Sequence, residues 1–176
     1  MARCTTRSNR FSRPNPQRFQ NGEADVVLGS RMQKGFPVRE GMPWWKYIGN
    51  RLLTKLENAQ FGLNLSEYHT GYRAYSREVL ESVNFMANSD DFIFDQEIIA
   101  QIVEAKFRIA EISVPVRYFP AASSASLLAS VIYGLKILLL LLRFWIHKRT
   151  PWKALRFCSL RERYRLAGRD MPKGTA

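Results

Sequence analysis

The stretch between Glu67 and Ser76, EYHTGYRAYS, brings together side chains suited to ligand binding. It places a carboxylate at Glu67, an imidazole at His69 and a guanidinium at Arg73 within seven residues. Polar loops between packed elements are where binding groups concentrate. The same composition is also typical of a turn that leads into a strand. We therefore take the stretch as a candidate binding loop, with a plain turn as the alternative.

A short apolar run upstream of this loop predicts a buried strand. Residues 24–28 read Ala-Asp-Val-Val-Leu and are followed by Gly29-Ser30-Arg31, which is typical of a strand closed by a tight turn. Arg31 would then project from the carboxyl end of the strand, where open α/β sheets bind their ligands. The pattern makes Arg31 a second candidate for the site.

Helical periodicity predicts three helices around these residues. Residues 44–60 are amphipathic and meet a glycine stop at Gly62. Ser76 is the expected N-cap of a short helix that runs through Val83, and Asp95 is the expected N-cap of a further helix. The apolar stripe of the first helix is Trp45, Ile48, Leu52, Leu56 and Ala59.

The pair Trp44-Trp45, beside Lys46, has two interpretations. Amphipathic rings settle at the headgroup level of a membrane, and a neighbouring lysine suits that position. The same two rings could equally belong to an ordinary protein core. The sequence leaves both interpretations open.

The C-terminal half contains an alternating run and then the most apolar segment of the chain. Ile112 to Tyr118 alternates in polarity and predicts a strand, with Pro115 indicating an edge position. Residues 127–146 predict a helix of about 30 Å, the thickness of a bilayer core. Lys136, Arg143 and His147 share one side of it. A cationic stripe favours a helix that lies in the membrane interface, with a spanning helix as the alternative.

The charge of the chain is unusual and is concentrated at its ends. The formal net charge is +12, which predicts an anionic partner. Residues 1–22 carry five arginines and no acid before Glu23, and read as a disordered arm, with an organelle transit peptide as the minor alternative. A basic tail follows the apolar helix, as in juxtamembrane segments. That arrangement favours an anionic membrane surface over nucleic acid, and the two cysteines lack metal-ligand spacing.

Five pieces of this sequence, in this order and spacing, resemble one family. They are DVVLGSR at 25–31, GNRLL at 49–53, HTGYRAY at 69–75, FDQEI at 94–98 and ISVPVRY at 112–118. Together they resemble the C-terminal part of a family 2 glycosyltransferase of the polyprenyl-phosphate, or dolichyl-phosphate mannose synthase-like, branch. The resemblance covers roughly residues 22–147.

This resemblance implies a fold and a reaction. The family has an α/β GT-A (nucleotide-diphospho-sugar transferase) fold and moves a sugar from a nucleotide-sugar to a polyprenyl or dolichyl phosphate at the cytoplasmic membrane face, assisted by Mg²⁺ or Mn²⁺. By residue, it implies phosphate or substrate binding at the following positions: Arg31, Lys46, Arg51, Glu67, His69 and Arg73. The family usually has aspartate at the position of Glu67. The acceptor phosphate is already anionic, so no general base is expected.

The resemblance also implies that a nucleotide and metal half should precede residue 25. No Asp-x-Asp pair occurs in the sequence, so we expect no metal to be held by this chain. We also expect the chain to be a fragment that does not catalyse sugar transfer by itself. The expected organisation is an unrelated basic arm at 1–22, the C-terminal half of a GT-A domain at 23–120, an interfacial or membrane helix at 121–149 and a basic tail at 150–176. The alternative is a non-catalytic, membrane-peripheral binding module derived from the acceptor half.

Overall fold

The computed structural model describes residues 24–33, 37–38, 41–115, 126–150, 154, 156–158 and 160. Three strands are defined in it: β1 (Val26–Ser30), β2 (Arg73–Tyr75) and β3 (Ile109–Ser113). The helices are α1 (Trp44–Phe61), α2 (Arg77–Ser82), α3 (Phe94–Glu104) and α4 (Leu127–Arg149), with a 3-10 turn at Phe85–Ala87. The predicted arm at 1–22 and most of the predicted basic tail lie outside the described residues.

The described strands form a mixed sheet in the order β2-β1-β3. Strand β1 is fully buried, and pairs antiparallel with β2 and parallel with β3. At Gly29 a Cβ atom would come within 2.7 Å of Tyr72 Cδ1 and 2.8 Å of Val114 Cγ1. Glycine is therefore required here, because the ring of Tyr72 packs directly on the strand.

Two predicted strand boundaries were wrong, and pairing explains both. Strand β1 begins at Val26 and includes Gly29 and Ser30, because they pair with Ile112 and Ser113 of β3. Strand β3 begins at Ile109, three residues before the predicted start at 112, and ends at Ser113. It ends before Pro115 because proline has no amide hydrogen with which to extend the ladder. The predicted edge position is confirmed for the described sheet. Residues 116–118 lie outside the described part.

The helix ends follow their local chemistry, with one correction. Gly62 adopts φ 69° and ends α1 in the left-handed conformation, as predicted. Ser76 caps α2, its Oγ accepting from the amide of Val79 at 3.3 Å. Asp95, however, is not a cap. A turn in which the Phe94 amide donates to the carbonyl of Asp91 starts the helix at Phe94, two residues earlier than predicted, so Asp95 lies in the first turn of α3.

The apolar core lies between the sheet, α3 and α4. Helix α4 joins it through one side, made of Ile137, Leu140, Leu141, Phe144 and His147. Helices α1 and α4 also pack against each other, where Leu53 Cδ1 lies 3.7 Å from the position of a Cβ on Gly134. The fold thus attaches the most apolar helix to the elements that carry the candidate residues.

Helix α1 turns its apolar stripe outward. Its buried residues include Thr54 and Glu57, whereas Trp44 is 67% exposed. The central members of the predicted stripe are exposed as well: Ile48, Leu52 and Leu56. Helix α4 likewise exposes a long apolar side, formed by Leu127, Leu128, Val131, Ile132, Leu135, Leu138, Leu139, Leu142, Trp145 and Ile146. We call Ile48, Leu52 and Leu56 the outer row of α1, and the exposed apolar residues of α4 the outer row of α4.

The predicted cationic stripe on α4 is only partly present. Lys136 is exposed and pairs with Asp91, and the hydrogen bond from Lys136 lowers the pKa of Asp91. Arg143 is exposed, but His147 is buried at 1% and accepts from the amide of Ala154. Among the described residues, α4 is the helix long and apolar enough to cross a membrane, with a mean hydropathy of 2.1.

Candidate functional site

Arg31 and Glu67 form the centre of the candidate site. The carboxylate of Glu67 is fully buried and accepts from the Arg31 backbone amide at 2.8 Å and from Arg31 Nε at 2.9 Å. It also pairs with Arg31 Nη2, which donates in addition to the carbonyl of His69 at 2.8 Å. The Arg31 side chain remains 23% exposed. A fixed, partly exposed guanidinium at the end of a strand is well suited to bind an oxyanion.

Helix α1 contributes a third group to this centre. Asn50 Nδ2 donates to Glu67 Oε1 at 2.9 Å, while its oxygen accepts from Thr54 Oγ1 at 3.2 Å. Because Asn50 and Thr54 are one helical turn apart, both polar side chains face inward. This explains why the apolar stripe of α1 faces outward. Asn50 was not among the site residues predicted from the sequence, where it is only a polar residue outside the apolar stripe of the helix.

Strand β3 holds the loop that carries Glu67. Both carboxylate oxygens of Glu111 accept from the backbone amide of Ser66, at 2.9 and 2.8 Å, and Oε1 also accepts from Ser66 Oγ at 2.9 Å. Glu111 Oε1 accepts from the amide of Glu67 at 3.1 Å as well. The Ser66 hydroxyl lies 2.6 Å from that of Ser30, which closes the connection back to β1.

Arg73 braces the other end of the loop. Its side chain is 5% exposed and donates to the carbonyls of Thr70 at 2.7 Å, Tyr68 at 2.8 Å and Asp95 at 2.6 Å. The Asp95 carboxylate lies 3.7 Å from Arg73 Nη2. Three backbone carbonyls occupy this guanidinium, so it shapes the loop from inside.

His69 faces a buried polar cluster. Its Nε2 lies 3.3 Å from the fully buried Glu57 on α1, and its Nδ1 lies 3.1 Å from Gln96 Nε2 and 3.5 Å from the hydroxyl of Tyr133 on α4. The rings of His69 and Tyr133 meet edge to face at 5.8 Å. Burial raises the pKa of the neighbouring Tyr68, whose hydroxyl donates to Asn58 Oδ1 at 2.9 Å. Both ring nitrogens of His69 therefore point at protein groups that link three helices.

Lys46 and Arg51 lie on α1, near the site but outside the contacts above. Lys46 stands one helical turn before Asn50 and therefore shares its face, with its ammonium 5.2 Å from the centre of the Trp45 ring. Arg51 is exposed. The structure thus brings together Arg31, Glu67 and the His69 backbone, and leaves these two cations on the adjoining helix.

The described residues do not fit a divalent metal. No group of three or more His, Cys, Asp and Glu side chains comes together in the described ranges. Mg²⁺ prefers carboxylate oxygens with open coordination sites, whereas the Glu67 carboxylate is already occupied by Arg31 and Asn50.

Comparison with known proteins finds relatives that are named as sugar transferases or synthases. The chain is 30% identical over 109 residues to a low-salt glycan biosynthesis hexosyltransferase of Haloferax volcanii, a match covering 61% of this chain and 25% of the relative. It is 28% identical over 92 residues to a polyprenol monophosphomannose synthase of Mycolicibacterium smegmatis, covering 52% and 34%. It is 31% identical over 97 residues to a dolichyl-phosphate hexose transferase of H. volcanii, covering 55% and 40%.

These relatives support the resemblance that the sequence pieces indicated. The chain is similar to polyprenyl-phosphate sugar transferases of glycosyltransferase family 2 over about half its length. The similarity expected from the five sequence pieces is thereby confirmed. The chain spans less than half the length of each of these transferases. No protein-family model matches the chain, and no solved structure does.

Proposed function

We propose that this chain is the acceptor-side part of a family 2 glycosyltransferase with a GT-A fold. In this proposal it binds the phosphate of a polyprenyl or dolichyl phosphate at the cytoplasmic membrane face, where a sugar is transferred from a nucleotide-sugar. The names of two relatives, a polyprenol monophosphomannose synthase and a dolichyl-phosphate hexose transferase, support the acceptor class.

The observation that carries the proposal is the fixed guanidinium of Arg31. Glu67 and the carbonyl of His69 hold it at the carboxyl end of β1, with part of the side chain exposed. A phosphate monoester offers several anionic oxygens, which the positive charge of a partly exposed guanidinium attracts. Lys46, on the same side of α1 as Asn50, adds positive charge on the adjoining helix.

The proposed chemistry asks little of the protein besides positioning. An oxygen of the acceptor phosphate attacks the anomeric carbon of the donor sugar, and the nucleoside diphosphate leaves with the bonding electrons. Because the attacking oxygen is already ionised, no side chain must remove a proton. Arg31 would orient the phosphate and offset part of the repulsion between the two anionic reactants.

The outer rows of α1 and α4 provide a reason for the acceptor to be a lipid. They are apolar, long and exposed, and Trp44 lies at the N-terminal end of α1. Such surfaces are covered by a membrane or a partner in working proteins. A bilayer at these rows would bring the headgroup of a polyprenyl phosphate to the helix that carries Asn50 and Lys46. The anionic membrane surface expected from the net charge fits the same arrangement.

The proposal is tested by binding to vesicles of defined composition. We expect the full chain to bind phosphatidylcholine vesicles more tightly when they carry polyprenyl phosphate than when they carry the same fraction of polyprenol. Vesicles with phosphatidylglycerol at equal surface charge separate this preference from general attraction to anions. The preference should disappear in Arg31→Gln and persist in Arg77→Gln, whose arginine is exposed on α2. Equal preference in both variants would refute the proposal.

A non-catalytic membrane-peripheral binding module is the second candidate. It is favoured by the exposed outer rows of α1 and α4. Transfer of labelled sugar from a nucleotide-sugar to polyprenyl phosphate by the purified chain would exclude this candidate. Saturable vesicle binding with no transfer would favour it.

A further inference from the structure

Glu111 on β3 is the residue on which the Arg31 centre rests. It receives four hydrogen bonds at 2.8 to 3.1 Å, from the amide and hydroxyl of Ser66 and the amide of Glu67. None of these four hydrogen bonds involves Arg31 itself. We propose that Glu111 is a positioning residue, which sets the orientation of Arg31 toward the acceptor phosphate by fixing the backbone that carries Glu67.

The contacts form a directed path from β3 to the guanidinium. Glu111 fixes the backbone amides of Ser66 and Glu67, and this backbone determines where the Glu67 carboxylate lies. The carboxylate in turn holds Arg31 at both its backbone amide and its Nε. Arg31 directly follows β1, and Leu28 of β1 pairs with Glu111 of β3, so the path starts and ends at two paired strands.

The chemistry of Glu111 suits this role better than a purely structural one. An ionised carboxylate has only acceptors, and all of its partners here are donors. A glutamine of the same shape would direct an N–H at one of those donors, so the loop would have to shift. A shift of about 1 Å in a positioning group is enough to weaken a directional interaction strongly.

This inference rests on the proposed function, and its test separates the two. The measured quantity is the ratio of dissociation constants for farnesol and farnesyl phosphate, determined with the full chain in detergent micelles. This ratio isolates the contribution of the phosphate, because the isoprenyl part is common to both probes. General damage to the fold weakens both probes alike and leaves the ratio unchanged.

We expect Glu111→Gln to lower the ratio about tenfold, as for the loss of one hydrogen bond to a charged group. The matched change Glu81→Gln, at an exposed ion pair on α2, should leave it unchanged. Arg31→Gln should lower the ratio at least as much, and Arg31→Gln with Glu111→Gln no further than Arg31→Gln alone. Such non-additivity is expected if Glu111 acts through Arg31.

Each outcome decides one of the two claims. If Arg31→Gln leaves the ratio unchanged, the proposed function fails. If Arg31→Gln lowers it and Glu111→Gln does not, or if the two effects multiply, the positioning role of Glu111 fails. Should Glu111→Gln not fold, Glu111→Asp keeps the charge but shortens the reach by one methylene. That variant should show an intermediate ratio, and a wild-type ratio in it would overturn the inference.

Discussion

Replacing the buried carboxylate of Glu67 should destabilise the chain far more than replacing an exposed one. Glu67 is fully buried and accepts from Arg31 at 2.8 and 2.9 Å and from Asn50 at 2.9 Å. In Glu67→Gln the new amide group turns two N–H donors toward these donors. The guanidinium of Arg31 loses the negative charge of Glu67.

The size of the expected loss in the free energy of unfolding follows from the burial of the Arg31–Glu67 pair. Breaking a buried ion pair by removing one partner costs about 3 to 5 kcal/mol. The Arg31 side chain is 23% exposed, so water recovers part of that loss and we expect the low end, about 3 kcal/mol. For a chain of this size, the midpoint of thermal unfolding should fall by roughly 6 to 12 °C.

The assay is thermal unfolding of the full chain, followed by far-UV circular dichroism in one detergent buffer. The matched control is Glu81→Gln, which removes an exposed ion pair to Arg77 on α2 and should leave the midpoint nearly unchanged. A Glu67→Gln midpoint within error of the Glu81→Gln midpoint would refute the buried role of this carboxylate.

Three further results are expected. Arg73→Lys should lower the free energy of unfolding by about 2 kcal/mol, because lysine cannot reach three carbonyls at once; urea unfolding measures this, and an unchanged midpoint would contradict it. Leu52→Ala, at a leucine that is 58% exposed, should weaken binding to neutral vesicles about fivefold, whereas Leu80→Ala on α2 should not. Asp25→Asn should lower stability at neutral pH, because hydrogen bonds from Arg108 hold the pKa of Asp25 below its ordinary 3.8. The contribution of that pair is lost as the pH falls through the folded pKa, so the two midpoints should converge in acid, and a difference that persists there would contradict the account.

Local sequence signals predicted where the helices end better than which face of each helix is buried. The glycine stop at Gly62 and the cap at Ser76 were correct, because each depends on residues within one turn. The stripe on α1 was also real, but periodicity identifies two faces of a helix and not the medium beside each. Its outward direction depends on Asn50 and Thr54 reaching Glu67, a contact across 17 residues for Asn50 that no local pattern contains.

The candidate site was predicted only in outline. Arg31 and Glu67 were named from the sequence, and the structure brings them into direct contact. Glu111 was missed as a site residue, because it directly precedes the predicted strand at 112–118 and no local pattern connects it to the loop that carries Glu67. Its partner Ser66 lies 45 residues away, and the shift of β3 toward the N-terminus is what places the two together. The cluster that joins His69 to Tyr133 spans 64 residues and was likewise invisible to local patterns.

Phosphorus NMR of farnesyl phosphate titrated with the full chain tests the central claim most directly. It observes the phosphorus atom itself, so apolar contacts of the isoprenyl chain with the outer rows contribute little to the signal. We predict a saturable shift of the phosphorus resonance with the wild-type chain and none with Arg31→Gln. A shift of equal size and midpoint in Arg31→Gln would contradict the assignment of the acceptor phosphate to Arg31.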